Sequence, residues 1–247
     1  MMSLKVITVD FWNTLFDSSN GTARNNHRID TLKFEISKTG TNISDLEYEK
    51  TMEESWEHFN AIWKNEQRTP TSEESRSFFW NRLNIPRDDE AASRIEKAFA
   101  ESILYYPPKL IDGVADALSE LSKYCKLAIV SDTGFSPGQV LRRLMHENDV
   151  LRYFSSFSFS DETEVAKPHP KAFRTVLDDL KVLPDEAMHI GDIEDTDIKG
   201  AKGIGMKAIR FSGDPTAFLN LNNSKTTLAD FESKSWNDIV NYIKREF

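Results

Sequence analysis

Residues 5–17 read KVITVDFWNTLFD. Val6, Ile7, Thr8 and Val9 are all β-branched, the composition of a strand covered on both faces of a parallel sheet. Asp10 then stands at the carboxyl end of that strand and a turn follows. Open α/β sheets gather their reactive groups along that edge. A nucleophilic Asp10 calls for a neighbour that can shuttle a proton, and an acid two residues on would serve. Position 12 is Trp, whose indole N–H donates a hydrogen bond but is not a usable acid.

Outward from this stretch, the chain divides by its rhythm. Residues 18–30 are polar, carry Gly21 and read as a linker. From about residue 30 to 106 the pattern is helical. Leu46, Met52, Trp56, Phe59 and Trp63 recur near helical spacing, followed by Phe78, Phe79 and Leu83, then Ile95, Phe99 and Ile103. Thr69-Pro70-Thr71 and Ile85-Pro86 break the helices, and Tyr106-Pro107-Pro108 closes the block. Strand and helix then alternate. Strands are expected at 126–130, 157–160, 187–190 and 206–211, with an edge strand at 227–229. Helices fit 112–124, 137–148, 170–180, 195–203 and 235–246. Strands alternating with helices of this length predict βαβ units, hence an α/β fold with a parallel sheet and a helical insertion after its first strand. The chain shows no internal repeat and no low-complexity segment.

Composition narrows the function. The chain has 247 residues, 29% charged and 39% hydrophobic, with a formal charge of −9. That charge argues against nucleic acid or an anionic membrane as partner. A single cysteine, Cys125, suits a reducing cytoplasm and reads as a small buried hydrophobe. The N-terminal stretch does not read as a signal peptide, because Asp10 and Asn13 interrupt any apolar run. No apolar segment approaches membrane-spanning length, so a cytoplasmic protein is expected.

Polar groups recur at four strand ends: Asp10; Ser131 with Asp132; Lys167 in VAKPHPKAF; and GDIEDTD, with Asp192, Asp195 and Asp197. Each has a plain alternative. Asp10 and Ser131 would serve as helix caps, Lys167 as a solvated surface residue, and the acids as complements to a helix dipole. Their order along successive strand ends makes coincidence a poor account.

These stretches resemble the haloacid dehalogenase superfamily of aspartate-nucleophile hydrolases. VDFWNTLFD is similar to its first motif, LAIVSDTG to its second, VAKPHPKAF to its third and HIGDIEDTDIKGAKGIGM to its fourth. The resemblance implies a Rossmann-like core from residues 1–16 and 107–247, with an all-helical cap at 17–106. It further implies Asp10 as nucleophile and a Mg²⁺ held by Asp10, the backbone carbonyl of Trp12 and Asp192. Ser131, Asp132 and Lys167 would bind and orient the substrate, with Asp195 and Asp197 as further ligands or supports of the metal. The partner would be a small phosphorylated or halogenated molecule, and the protein a monomer or homodimer. The glycines of GAKGIG read as helix termination and close packing.

Trp12 stands where the phosphatases of this superfamily carry their acid–base Asp. Such help typically contributes about two to four orders of magnitude in rate. Three readings follow. The first is a Mg²⁺-dependent phosphatase that favours good leaving groups or takes its acid elsewhere, with His27 and Asp17 as candidates. The second is a haloalkanoate dehalogenase, which this chain resembles in its aromatic residue at position 12. Against it, Ile190-Gly191-Asp192 and Phe173 stand where that subfamily has Ser-Ser-Asn and Tyr. The third is a non-catalytic binding or regulatory protein. His58, His146, His169 and His189 show no metal-ligand spacing and read as packing or surface residues.

Overall fold

Val6–Val9 forms β1. The computed structural model, which describes residues 4–85, 89–217 and 226–247, sets this strand inside a parallel sheet. The other strands are Lys126–Ser131 (β2), Phe154–Phe159 (β3), Ala187–Gly191 (β4), Lys207–Phe211 (β5) and Phe231–Ser233 (β6). Among the described residues they form six strands in the order β3-β2-β1-β4-β5-β6. The chain builds outward from β1 to β3, then returns to place β4 on the other side of β1. The strand order therefore reverses at β1, and open sheets form a crevice at such a point.

Period-two alternation explains why β1 reads as continuously apolar. Ile7 and Val9 pack with Ile129 and Ile209 in one cluster, covered by Leu118, Leu144 and Ile239. Val6 joins Ala128 and Ala208 in another, covered by Phe173, Val176 and Ala201. Both faces are sealed, which keeps β1 apolar apart from the buried Thr8. Helices Val114–Leu121, Gly138–Glu147 and Trp236–Glu246 cover the first face, and Pro170–Leu180 and Lys199–Gly203 the second.

Between β1 and the rest of the sheet lie α1 (Gly21–Ser37), α2 (Asp45–Glu66), α3 (Ser72–Leu83) and α4 (Asp89–Tyr105). Capping boxes start two of them, Ser44 with Glu47 for α2 and Thr71 with Glu74 for α3. Their apolar faces meet in a core of their own, including Leu32, Met52, Phe79, Ile95 and Phe99. The break at 69–71 falls between α2 and α3, and α4 ends just before Tyr106. Pro86 of the second breaker lies outside the described residues.

Three expectations need correction. Residues 21–30 are helical, the first turns of α1, because Arg24 and Arg28 are buried there and hide the apolar stripe from a hydropathy reading. β3 begins at Phe154, three residues before the expected start. The edge strand is Phe231–Ser233 rather than 227–229, since Thr227 Oγ1 and Leu228 N donate to the buried carboxylate of Glu194 instead of to a strand.

Candidate active site

The carboxyl ends of β2, β1 and β4 lie side by side, because β1 pairs with both neighbours in register. The backbone continues the pairing one step past the strand, with Asp10 N donating to Ile190 O at 2.9 Å. The chain then folds tightly. Leu15 N and Phe16 N both donate to Phe11 O, and Asn13 takes a positive φ of 55°. Asn13 Nδ2 donates to Asp214 Oδ2 at 2.6 Å, tying this turn to the loop after β5.

Lys167 reaches the same point from the loop before Pro170–Leu180. Its Nζ donates to Asp10 Oδ1 and to Asp197 Oδ1, both at 2.6 Å. Asp10 is 4% exposed, Lys167 3%, Asp192 2% and Asp197 0%. Burial alone would strip the lysine of its proton, but the carboxylates of Asp10, Asp197 and Asp132 outweigh it and keep the ammonium charged. Burial raises the Asp10 carboxyl to about 6 in spite of Lys167. Asp192 is held well above the ordinary range by burial and by the charges of Asp197 and Asp10. Asp197 goes the other way: Lys167 and His189 overcome its burial and hold it low.

The fourth motif is shaped by a π-helical turn over Glu194–Ile198. Residues two apart in a helical turn point to nearly opposite sides. Asp197 therefore faces inward, while Asp195 turns out to solvent and pairs with Lys199 at 2.5 Å. The expectation that Asp195 shares the cluster with Asp197 thus meets a different placement. Gly191 has its reason here, since a Cβ at that position would come within 2.6 Å of Asp197 Oδ1.

Ligand atoms of Asp10, Asp192 and Asp197 lie within 4.8 Å of one another. Three buried carboxylates beside one lysine leave an excess of negative charge, and hard oxygen donors of this kind suit Mg²⁺. The residues present fit such an ion. Ser131 Oγ is buried and has no hydrogen-bond partner among the described residues, so it is available to a bound oxygen. Asp132 is already engaged, accepting from Lys167 N at 2.9 Å and from Trp63 Nε1 of α2 at 2.8 Å. It joins the third motif to the inserted helices. Further contacts follow nearby: Ala166 N donates to Gln67 O, and Thr69 Oγ1 lies 2.8 Å from Ser160 Oγ.

The two candidate acids have other partners. Asp17 Oδ1 accepts from Ser19 N, Ser19 Oγ and Lys109 N, and His27 packs against Tyr105 and Tyr106. The residue missed in the sequence is His189. It is fully buried, with Nε2 at 3.0 Å from Asp197 Oδ1 and Nδ1 at 2.8 Å from Thr8 Oγ1. The carboxylate can only accept, so Nε2 carries the proton that faces Asp197. A strand-interior His and Thr on the same side of adjacent strands were the available signal.

Comparison with known proteins bears on the same stretches. A family model for haloacid dehalogenase-like hydrolases matches residues 4–205. A glyceraldehyde 3-phosphate phosphatase of Pyrococcus furiosus is 35% identical over 94 residues, 38% of this chain and 38% of that protein. The chain thus spans well under half the length of that relative. The crystal structure of a 2-haloacid dehalogenase from Pseudomonas syringae superposes with a TM-score of 0.71 at 20% identity, covering 98% of this chain and 99% of that one. The HAD-hydrolase YfnB of Bacillus subtilis, bound to magnesium, gives 0.65 at 15% identity over 98% and 99%. At such identities the likeness is one of fold.

Proposed function

The chain belongs to the haloacid dehalogenase-like hydrolases, and on that premise we propose that it is a Mg²⁺-dependent phosphatase of small phosphorylated molecules. The observation that carries this reading is the buried set of Asp10, Asp192 and Asp197 gathered around Lys167. Lys167 occupies Oδ1 of Asp10, and Oδ2 accepts no hydrogen bond among the described residues. Oδ2 would attack phosphorus, forming the aspartyl-phosphate bond as the ester P–O bond breaks. Water would then attack that phosphorus, releasing phosphate and restoring the carboxylate. Lys167 and the Ser131 hydroxyl would hold the phosphoryl oxygens, the electrostatic positioning on which phosphoryl transfer chiefly depends. Mg²⁺, when bound by Asp10, Asp192 and the Trp12 carbonyl, would supply a Lewis acid that neutralises those oxygens.

We further place the boundary of a helical cap at residues 17–106, over a core of 1–16 and 107–247. Its support is the pairing of the two crossing segments, Asp17 N to Lys109 O at 2.9 Å and Asn20 Nδ2 to Pro107 O at 2.8 Å. The near-complete burial of Asp10 and Lys167 fits a small substrate enclosed by closure.

Trp12 favours a second reading, dehalogenation, because halide leaves without a proton. In that reaction Asp10 would attack carbon. A panel of p-nitrophenyl phosphate, acetyl phosphate and 2-chloropropionate, with and without Mg²⁺, separates the two. Phosphate release that needs Mg²⁺ and vanishes in Asp10→Asn is the expected result. Halide release without metal would replace the phosphatase reading.

A further inference from the structure

Two arginines on α1 are buried outside any ion pair, though the charge of Asp17 offsets part of the burial of Arg24. Arg24 is 7% exposed and Arg28 5%, and among the described residues neither has an acid within ion-pair distance. The other buried cations do: Lys167 faces Asp10 and Asp197, and Arg210 faces Glu194 and Glu232. Arg24 Nη1 donates to the backbone carbonyls of Ser19 and Tyr106, one on each segment that crosses between the inserted helices and the sheet. Arg28 donates through Nε to Phe99 O at 3.4 Å and through Nη1 to Asn25 Oδ1 at 2.8 Å. Its Nη2 donates to nothing among the described residues.

Four residues apart, the two side chains share one face of the helix. That face is turned to the loops of the candidate active site. The Arg24 guanidinium stands 5.7 Å from the centre of the Trp12 ring, two residues past Asp10. The Arg28 guanidinium stands 4.6 Å from the centre of Phe135, four residues past Ser131. Burial, with Arg24 close by, brings Arg28 down to about 9. Burying a guanidinium against ring faces and neutral oxygens is costly when no anion answers it, and a second positive charge one turn away adds to the cost. A fold with no use for that charge would be better served by an apolar side chain.

We propose that Arg28, backed by Arg24, receives a second anionic group of the substrate, so that the enzyme acts on phosphomonoesters whose far end is a carboxylate or another phosphate. This rests on the phosphatase reading above. The planar guanidinium fork is matched to such groups, and pairing here would relieve its unanswered charge.

Competition against p-nitrophenyl phosphate turnover tests the proposal without depending on leaving groups. Phosphoglycolate, ending in a carboxylate, and ethylene glycol bisphosphate, ending in a phosphate, are compared with ethyl phosphate. In the wild type at least one anionic compound should inhibit about tenfold more tightly than ethyl phosphate. Arg28→Gln should close that gap, and Arg28→Lys should keep part of it. The urea midpoint of ligand-free Arg28→Gln should equal or exceed that of the wild type, whereas an arginine kept for structure would lower it. Equal inhibition by all three compounds in the wild type, or a gap that survives in Arg28→Gln, overturns the proposal. If p-nitrophenyl phosphate is not turned over, the phosphatase reading fails on its own. Calorimetry of the same compounds on both proteins then reads the same gap.

Discussion

Lys167 Nζ lies 2.6 Å from Asp10 Oδ1, and both side chains are almost wholly removed from water. The lysine stays charged because three carboxylates oppose its desolvation. Asp10 gains less from the pair than burial and the neighbouring Asp197 take away, so its carboxyl sits at about 6. An acid raised in this way binds its proton more tightly folded than unfolded.

The sign of the pH effect follows. Between the unfolded value of 3.8 and the folded value of about 6, the native state holds more proton than the unfolded chain. Stability from this group therefore falls as pH rises through that window. In metal-free protein, Asp10→Asn and the wild type should have similar urea stabilities near pH 4. At pH 7 the variant should be the more stable, by up to about 3 kcal/mol. A difference that does not change with pH would contradict the account.

Asp192 should govern metal binding. Its carboxyl is raised by burial and by the charges of Asp197 and Asp10, so a proton competes with a cation for it. Mg²⁺ affinity measured by calorimetry should fall as pH is lowered from 8 to 6. Asp192→Ala should weaken binding by about tenfold or more. Unchanged affinity in the variant would remove Asp192 from the metal site.

Trp12 should set the leaving-group dependence. The wild type should hydrolyse acetyl phosphate or p-nitrophenyl phosphate faster than glycerol phosphate, which needs a proton as it leaves. Trp12→Asp should narrow that gap, by at most about two to four orders of magnitude. A smaller gain is expected if the space left by the indole collapses, since a large-to-small change leaves a cavity. Identical gaps in both proteins would show that protonation does not limit the rate.

His189 should act through Asp197 and Lys167. His189→Leu removes the donor 3.0 Å from Asp197 Oδ1, leaving that oxygen to Lys167 alone. Urea melts should show a loss of about 1–3 kcal/mol, the cost of disrupting a buried hydrogen bond. The kcat should fall while KM stays near its original value, because the lysine shared by Asp197 and Asp10 is displaced. Thr8→Val should cause a smaller change of the same kind. A rise in KM with kcat unchanged would assign His189 to substrate binding.

How much of this was legible depended on whether neighbours in sequence were enough. The strands β1, β2, β4 and β5 announced themselves because they are buried on both faces, so each shows as a short stretch rich in apolar residues between polar loops. The capped and broken helices of the insertion were equally local. The start of α1 was hidden because Arg24 and Arg28 are polar residues in buried positions, and hydropathy reads them as surface.

The sequence by itself determined the parallel α/β core, the helical insertion and the presence of Asp10, Ser131 and Asp192 at strand ends; Lys167, expected at a fourth, lies instead in the loop between Ser160–Thr163 and Pro170–Leu180. Side-chain period and strand-end position are properties of a short stretch, so they survive without the fold. Tertiary structure decided which acids meet. Asp195 and Asp197 are two residues apart and indistinguishable in composition, yet a π-helical turn sends one to Lys199 in solvent and the other to Lys167 in the core. It also decided that His189 belongs with Asp197, and that Asp132 reaches Trp63 across 69 residues. Those pairings depend on register between strands and on where an inserted helix comes to rest, and no stretch of sequence carries either alone.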